Sequence, residues 1–236
     1  MLHGFGDTPQ TLALMAARIN HAGFSVSVPL LPGHGTTPEE FFRSTAEEWV
    51  SAARESFLRL RGACATVAVA GLSMGGAIAA ILAAEFRDID SLVLLAPYVG
   101  MPFKLRAAAA TQWIWGRAVG PIKSRNPDSI RDPVEREKNL GYGVTNGHAL
   151  RELWKVVREG RAALPSVTSP ALVLQSHRDP RVAPSVAIET MSRLGAPKKK
   201  LVWADEGGHI ITVDYGREKV FEETLAWLLA NQPSSP

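Results

Sequence analysis

The 236-residue sequence predicts an α/β fold with a mostly parallel sheet, helices on both of its faces and a small helical cap. Along most of the chain, short apolar segments alternate with amphipathic segments of helical period, which is typical of a parallel sheet covered by helices. This alternation stops between Pro97 and Pro170. We therefore predict a core made of residues 1–97 and 170–236, with a cap of residues 98–169 inserted into it.

The elements of the core follow from two periodicities. Strands are predicted where apolar, β-branched residues run together, and helices where apolar residues recur three or four positions apart. The predicted strands are 24–31, 67–70, 91–96, 171–175 and 201–203. The predicted helices are 8–22, 46–61, 75–86, 185–194 and 216–230, with two more at 103–118 and 147–163 in the cap.

Three polar loops follow predicted strands. The first is the run Gly71-Leu72-Ser73-Met74-Gly75, in which glycines surround one serine. Glycines remove side chains that would clash where a strand turns sharply into a helix, so they can hold a serine exposed at the turn. The second loop ends at Asp179 and the third at His209. Because functional residues of open parallel sheets gather at the carboxyl ends of the strands, we expect these three side chains to meet.

The three residue types suit nucleophilic catalysis. A serine hydroxyl is a weak nucleophile at neutral pH, and His209 is suited to take its proton during attack. Asp179 would orient the imidazole of His209 and stabilise its charged form. The oxyanion formed by the attack needs N–H donors, and the candidates are the amides of Met74 and of Phe5 in a glycine-rich loop.

Two alternatives concern the acid and the other histidines. Asp205 lies on the same loop as His209, and it competes with Asp179 for the role of the acid. We favour Asp179, because four residues are too few for the usual geometry between the acid and the histidine. His34 is interpreted as a structural loop residue, and His3 as a residue that holds the loop of Phe5 by hydrogen bonds.

The cap carries two tryptophans close together, Trp113 and Trp115. Large aromatic residues in an inserted segment either pack its interior or line a binding pocket. We name both residues as candidates for the substrate-binding surface.

Composition excludes several other classes. The net charge of +3 is mild, and the basic run at 198–200 is interpreted as a solvated loop, so nucleic-acid binding is not expected. No stretch reaches the roughly 18 apolar residues of a membrane-spanning helix, so stable membrane insertion is not expected. The single Cys64 cannot form an internal disulfide, which favours the reducing cytoplasm.

Five motifs together carry a resemblance to a known family. They are His3-Gly4-Phe5-Gly6, Pro32-Gly33-His34-Gly35, Gly71-Leu72-Ser73-Met74-Gly75-Gly76, His177-Arg178-Asp179 and Gly207-Gly208-His209. With the three site residues in the order serine, acid, histidine, the chain resembles the bacterial carboxylesterase and monoacylglycerol lipase branch of the α/β-hydrolase fold. The resemblance extends over nearly the whole chain.

The resemblance implies a serine carboxylic-ester hydrolase that works through an acyl-enzyme. Its implied substrates are esters with short to medium acyl chains or monoacylglycerols, and it implies no metal ion or organic cofactor. The alternative is a protein of the same fold that transfers acyl groups or binds ligands without turnover. Release of p-nitrophenol from a p-nitrophenyl ester separates the two.

The start of the chain leads to one more expectation. The loop of His3 to Gly6 ordinarily follows a central strand in the family that this sequence resembles, yet two residues precede it here. That strand would lie between the segments 24–31 and 67–70. We therefore expect the N-terminal strands of the sheet to be missing from this sequence.

Overall fold

The computed structural model describes residues 1–116 and 118–232, and its centre is a four-stranded parallel sheet. In spatial order the strands are β1 (Ala68–Leu72), β2 (Ser91–Leu95), β5 (Ala171–Gln175) and β6 (Lys199–Trp203). Because β2 and β5 are buried along their whole length, they are almost continuous apolar runs. The sequence predicted these two strands to within one residue.

Helices cover both faces of the sheet. The helices of the core are α1 (Gln10–His21), α2 (Pro38–Arg43), α3 (Ala46–Ala63), α4 (Met74–Glu85), α9 (Pro184–Arg193) and α10 (Arg217–Ala230). Apolar residues of α1 and α10 pack on one face of the sheet, and those of α3, α4 and α9 pack on the other. Successive strand residues point to opposite faces, so Val69 belongs to the α4 side and Ala70 to the α1 side.

The prediction of a strand at 24–31 was wrong, because the structure has no strand there. Leu2 lies beside β1 instead: its amide donates to the Ala70 carbonyl (2.8 Å), and its carbonyl accepts from the Leu72 amide (2.9 Å). The N-terminal amino group donates to the Ser27 carbonyl at 2.6 Å. A neighbour of one or two residues cannot form a ladder of hydrogen bonds, so the segment 24–31 runs without regular pairing.

The inserted segment is not purely helical, which is a second correction. It contains α5 (Phe103–Ala110), α6 (Gln112–Trp115), α7 (Pro133–Lys138) and α8 (Gly147–Ala163), with an antiparallel pair formed by β3 (Ile122–Lys123) and β4 (Val144–Thr145). Helix α8 has the predicted bounds, and its apolar face packs against α4 of the core. The segment predicted as one helix from 103 to 118 is divided at Thr111.

Candidate active site

Ser73 stands on a strained turn between β1 and α4. Its φ of 56° and ψ of −117° lie in a region that L-residues rarely adopt. A Cβ on Gly71 would lie 2.0 Å from the Gly75 carbonyl oxygen, and a Cβ on Gly75 would lie 2.2 Å from the Leu2 carbonyl oxygen. Both glycines are therefore required by close backbone packing at this turn, as the motif predicted.

The structure brings together the three residues that the sequence singled out. The Ser73 Oγ lies 2.8 Å from the Nε2 of His209, and the Nδ1 of His209 lies 2.7 Å from Oδ2 of Asp179. The side chain of Asp179 is fully buried and that of His209 is one-tenth exposed. A hydrogen bond from Nδ1 to the carboxylate leaves Nε2 free to accept the serine proton.

The Asp179 carboxylate is held as an ion by its surroundings. Its Oδ1 accepts from the amides of Arg181 (2.7 Å) and Val182 (2.9 Å), and its Oδ2 also accepts from Nε2 of Gln175 (2.8 Å). Burial by itself would raise the pKa of Asp179. The interaction with His209 and the backbone hydrogen bonds outweigh burial, so the pKa lies below its usual value.

Asp205 lies in a different environment. Its Oδ1 accepts from the His177 amide (2.9 Å) and lies 2.8 Å from Nδ1 of the same residue, whose ring stacks on Trp203. About half of the Asp205 side chain is exposed. Asp205 therefore contacts His177, while Asp179 contacts His209.

The two candidate oxyanion donors, Phe5 and Met74, belong to segments next to Ser73. Met74 is the first residue of α4, where an amide has no acceptor within its own helix. The loop of Phe5 lies against the serine, because a Cβ on Gly4 would be 3.4 Å from the Ser73 Cβ. In residues 1–116 and 118–232, neither amide has a hydrogen-bond acceptor. Neither amide is therefore already committed to a protein acceptor, as an oxyanion donor must not be.

The buried His3 holds this loop. Its Nδ1 donates to the Gly4 carbonyl (2.9 Å), so its Nε2 is the acceptor for the Leu31 amide (3.0 Å). Burial, reinforced by the nearby His34, lowers the pKa of His3 to about 3. His34 is also buried, and its Nδ1 lies 3.0 Å from the Pro32 carbonyl. Both rings have the structural contacts that the sequence predicted.

The comparisons with known proteins agree with this geometry. Residues 1–215 match the sequence profile of a hydrolase family that is described as serine aminopeptidase, S33. The chain belongs to this family. The resemblance to α/β-hydrolases drawn from the five motifs is therefore confirmed, and so is the predicted fold class.

Relatives of this hydrolase include two curated bacterial enzymes. A thermostable monoacylglycerol lipase of Bacillus sp. (strain H-257) is 31% identical over 95% of this chain and 87% of its own. A carboxylesterase of Bacillus subtilis (strain 168) is 23% identical, over 97% and 90%. A solved structure from work on LipS and LipT, two metagenome-derived lipolytic enzymes, has a TM-score of 0.89 and 29% identity, covering 97% of this chain and 91% of that one.

These relatives decide between the two functional classes. The chain is a serine ester hydrolase of the carboxylesterase and monoacylglycerol lipase type, and its substrates are small-molecule esters. The alternatives of acyl transfer and of binding without turnover are not favoured.

A cavity of about 390 Å³ opens beside Ser73 in the hydrolase. Residues of the core, including Phe5, Leu72 and His209, line part of it. The inserted segment lines another part with the apolar side chains Leu105, Ile122, Val144, Leu150 and Leu153. Most of the surface of this cavity is apolar, which suits the acyl chain of an ester.

The structure does not bring the two predicted tryptophans to this cavity. Trp113 is 74% exposed. Trp115 donates from its Nε1 to the Ala108 carbonyl (3.0 Å) and packs against Gly147 at the start of α8. Neither residue lines the cavity. The apolar residues of the inserted segment that do line it, such as Leu105 and Ile122, were not singled out from the sequence.

Two residues that support the histidine loop were missed. The Ser129 carbonyl accepts from the amides of His209 (3.0 Å) and Ile210 (2.9 Å). The buried carboxylate of Asp214 accepts from the Gly208 amide (2.7 Å) and from the amides of Arg131 and Asp132 in the inserted segment (both 2.8 Å). The one signal for Asp214 in the sequence was its position, five residues after His209 of the Gly207-Gly208-His209 motif.

Metal binding and membrane insertion can both be examined against residues 1–116 and 118–232 of the structure. Within them, no group of three or more His, Cys, Asp or Glu residues is arranged to hold a metal ion. None of the helices there is both long and apolar enough to cross a membrane.

Proposed function

We propose that Ser73, His209 and Asp179 form the catalytic triad of a carboxylic-ester hydrolase that works through an acyl-enzyme. The observation that carries this proposal is the unbroken chain of hydrogen bonds from the Ser73 Oγ through the His209 ring to the buried carboxylate. These hydrogen bonds end at Ser73, which lies beside a cavity with mostly apolar walls where an ester can reach the serine.

In the first half of the reaction, the Ser73 Oγ attacks the carbonyl carbon of the ester while Nε2 of His209 takes the hydroxyl proton. The carbonyl oxygen becomes an oxyanion and accepts hydrogen bonds from the amides of Phe5 and Met74. Collapse of this intermediate breaks the bond to the alkoxy oxygen. His209 gives its proton to that oxygen, and the alcohol leaves.

In the second half, water attacks the acyl group on Ser73 and gives a proton to Nε2 of His209. The second tetrahedral intermediate collapses, the acid leaves, and the proton returns to the Ser73 Oγ. Throughout both halves, the Asp179 carboxylate keeps the imidazole in one orientation and stabilises its charged form. Its lowered pKa keeps it ionised for this role.

Esters with short to medium acyl chains are the proposed substrates, and monoacylglycerols are included because one relative is a monoacylglycerol lipase. A cavity of about 390 Å³ is at the lower end of the range of small-ligand sites, which supports one acyl chain of modest length. We assign residues 98–169 to a cap that shapes the acyl site, and residues 1–97 and 170–236 to the catalytic core. The reducing cytoplasm is the proposed location, because the one cysteine, Cys64, is free.

The test uses Ser73→Ala and a fluorophosphonate that labels reactive serines. The wild-type chain should hydrolyse p-nitrophenyl butyrate with a burst of p-nitrophenol and should take up one label per chain. The variant should lose both while keeping its circular dichroism spectrum, because its only change is the attacking oxygen. Hydrolysis or labelling that survives in the variant would assign the nucleophile to another residue.

A further inference from the structure

The cavity beside Ser73 is lined by four cationic side chains. Arg136 and Arg181 are half-buried, whereas Lys123 and Arg125 are exposed. Asp7 is the one acidic residue among the described residues that line this cavity; burial raises its pKa to about 6, so it is mostly ionised at pH 7 and the lining keeps an excess of positive charge. A cleft lined by charges of one sign concentrates ions of the opposite sign. The cavity therefore attracts anions.

These cations have no carboxylate partner. In residues 1–116 and 118–232, none of the four side chains forms a salt bridge. Arg181 donates from Nε to the Ser129 hydroxyl (3.0 Å) and from Nη2 to the Ser124 carbonyl. Arg136 donates to carbonyl oxygens of the segment 127–130, at 3.3 and 3.4 Å. All of these acceptors are neutral.

A structural role explains part of the arrangement of Arg181. Its hydrogen bonds to Ser124 and Ser129 join the cap to the loop of the catalytic acid. A neutral amide side chain can make bonds of this kind, so the joining role does not require a positive charge. Burial lowers the pKa of Arg181, although Tyr98 and Asp179 partly offset this effect. A desolvated charge without a carboxylate at salt-bridge distance remains only partly compensated, and an anionic ligand would supply the rest.

We propose that the preferred substrates are esters that carry an anionic group, which Arg181 binds together with Arg136. This inference rests on the proposed ester hydrolysis at Ser73 and narrows its substrate class. Guanidinium groups bind carboxylates and phosphates alike, through paired N–H donors. The anionic group of the substrate can therefore be a carboxylate on the acyl chain or a phosphate on the alcohol.

Two pairs of substrates separate these two kinds of anionic group. On the acyl side, monomethyl adipate is compared with the methyl ester in which an isopropyl group replaces the free carboxylate. On the alcohol side, butyryl glycerol phosphate is compared with monobutyrylglycerol. Hydrolysis is followed by acid release in a pH-stat at low salt. In at least one pair, wild-type kcat/KM should be at least about tenfold higher for the charged ester, and added salt should reduce this preference.

The variants are Arg181→Gln and Arg136→Gln. Each should lower kcat/KM for the preferred charged ester by about 10- to 100-fold and change that for its neutral partner by less than about threefold. Arg106→Gln is the matched control: it removes the same charge from the cap, but Arg106 does not line the cavity. It should leave the preference unchanged. If Arg181→Gln does not fold, Arg136→Gln carries the test.

Three outcomes would overturn the inference. The first is a wild-type preference for the neutral ester in both pairs. The second is an equal loss on charged and neutral esters in the arginine variants, which would leave Arg181 with the joining role alone. The third is a loss of the preference for the charged ester in Arg106→Gln as large as in the other arginine variants. The preference would then come from the overall charge of the protein and not from a binding site in the cavity. Hydrolysis of the neutral esters by wild type, and its loss in Ser73→Ala, test the proposed function separately.

Discussion

Asp179 and Asp205 show how environment selects one of two nearby carboxylates. Asp179 is buried, accepts two backbone amides and lies 2.7 Å from His209, whereas Asp205 is half exposed and contacts His177. We expect Asp179→Asn to lower kcat by about 10,000-fold, because the amide favours the wrong tautomer of His209. Asp205→Asn should stay within about threefold of wild type, since an exposed pair contributes little. Steady-state kinetics on p-nitrophenyl butyrate checks this, and the reverse ranking would make Asp205 the acid.

Asp7 should make stability depend on pH. Burial raises its pKa from 3.8 to about 6, so the folded protein binds this proton more tightly than the unfolded chain does. The stabilising effect of the proton is complete below about pH 4 and is lost as the pH rises through about 6. The difference corresponds to about 3 kcal/mol at pH 7 and above.

Asp7→Asn should therefore raise the free energy of unfolding at pH 7.5 and have little effect at pH 4. Its amide oxygen can still accept from the Thr8 amide, as the Asp7 Oδ1 does at 2.9 Å. Denaturant unfolding of both proteins at several pH values gives the difference directly. The buried His3, with its pKa lowered to about 3, contributes the opposite slope in both proteins and so cancels. A difference that does not depend on pH would contradict the prediction.

At the scale of the element, the turn from β1 into α4 depends on glycines. A Cβ on Gly71 would meet backbone atoms of Gly75 and Gly76 at 2.0 to 2.6 Å, and neither can move without displacing Ser73. We expect Gly71→Ala to destabilise the fold by several kcal/mol and to abolish labelling of Ser73 by the fluorophosphonate.

Gly62→Ala is the matched control. Gly62 lies near the end of α3, and a Cβ there would have no heavy atom within 4 Å. The substitution should leave activity unchanged and stabilise the protein by up to about 1 kcal/mol, because alanine favours the helix. Thermal unfolding and labelling measured on both variants test the pair. A labelled and stable Gly71→Ala variant would show that the turn can adjust.

At the scale of the whole molecule, features set by neighbouring residues could be predicted from the sequence. Features that depend on contacts between distant segments could not. The bounds of α8 followed from its apolar period, and the turn at Ser73 followed from its glycines. The segment 24–31 has the composition of a strand, but a strand also needs a neighbour, which depends on chain elsewhere. Arg181 was not singled out from the sequence, because what distinguishes it is its position beside the cavity, to which distant parts of the chain contribute.

The cap should decide which acyl chains the core accepts, and Leu105 offers the sharpest test. Leu105 lines the cavity from α5 and is 41% exposed, so a larger side chain fits there without overpacking the core. We expect Leu105→Trp to reduce the space for long chains. The ratio of kcat/KM for p-nitrophenyl decanoate to that for the acetate should fall by about tenfold or more, while the rate on the acetate changes little.

Trp113→Ala is the control for this experiment, because Trp113 lies on the same cap but is 74% exposed and does not line the cavity. It should leave the ratio of decanoate to acetate unchanged. A shift in that ratio with Trp113→Ala and none with Leu105→Trp would return the acyl site to the tryptophans that the sequence suggested. A uniform loss on every chain length in Leu105→Trp would mean that this residue supports the fold of the cap instead of selecting the acyl chain.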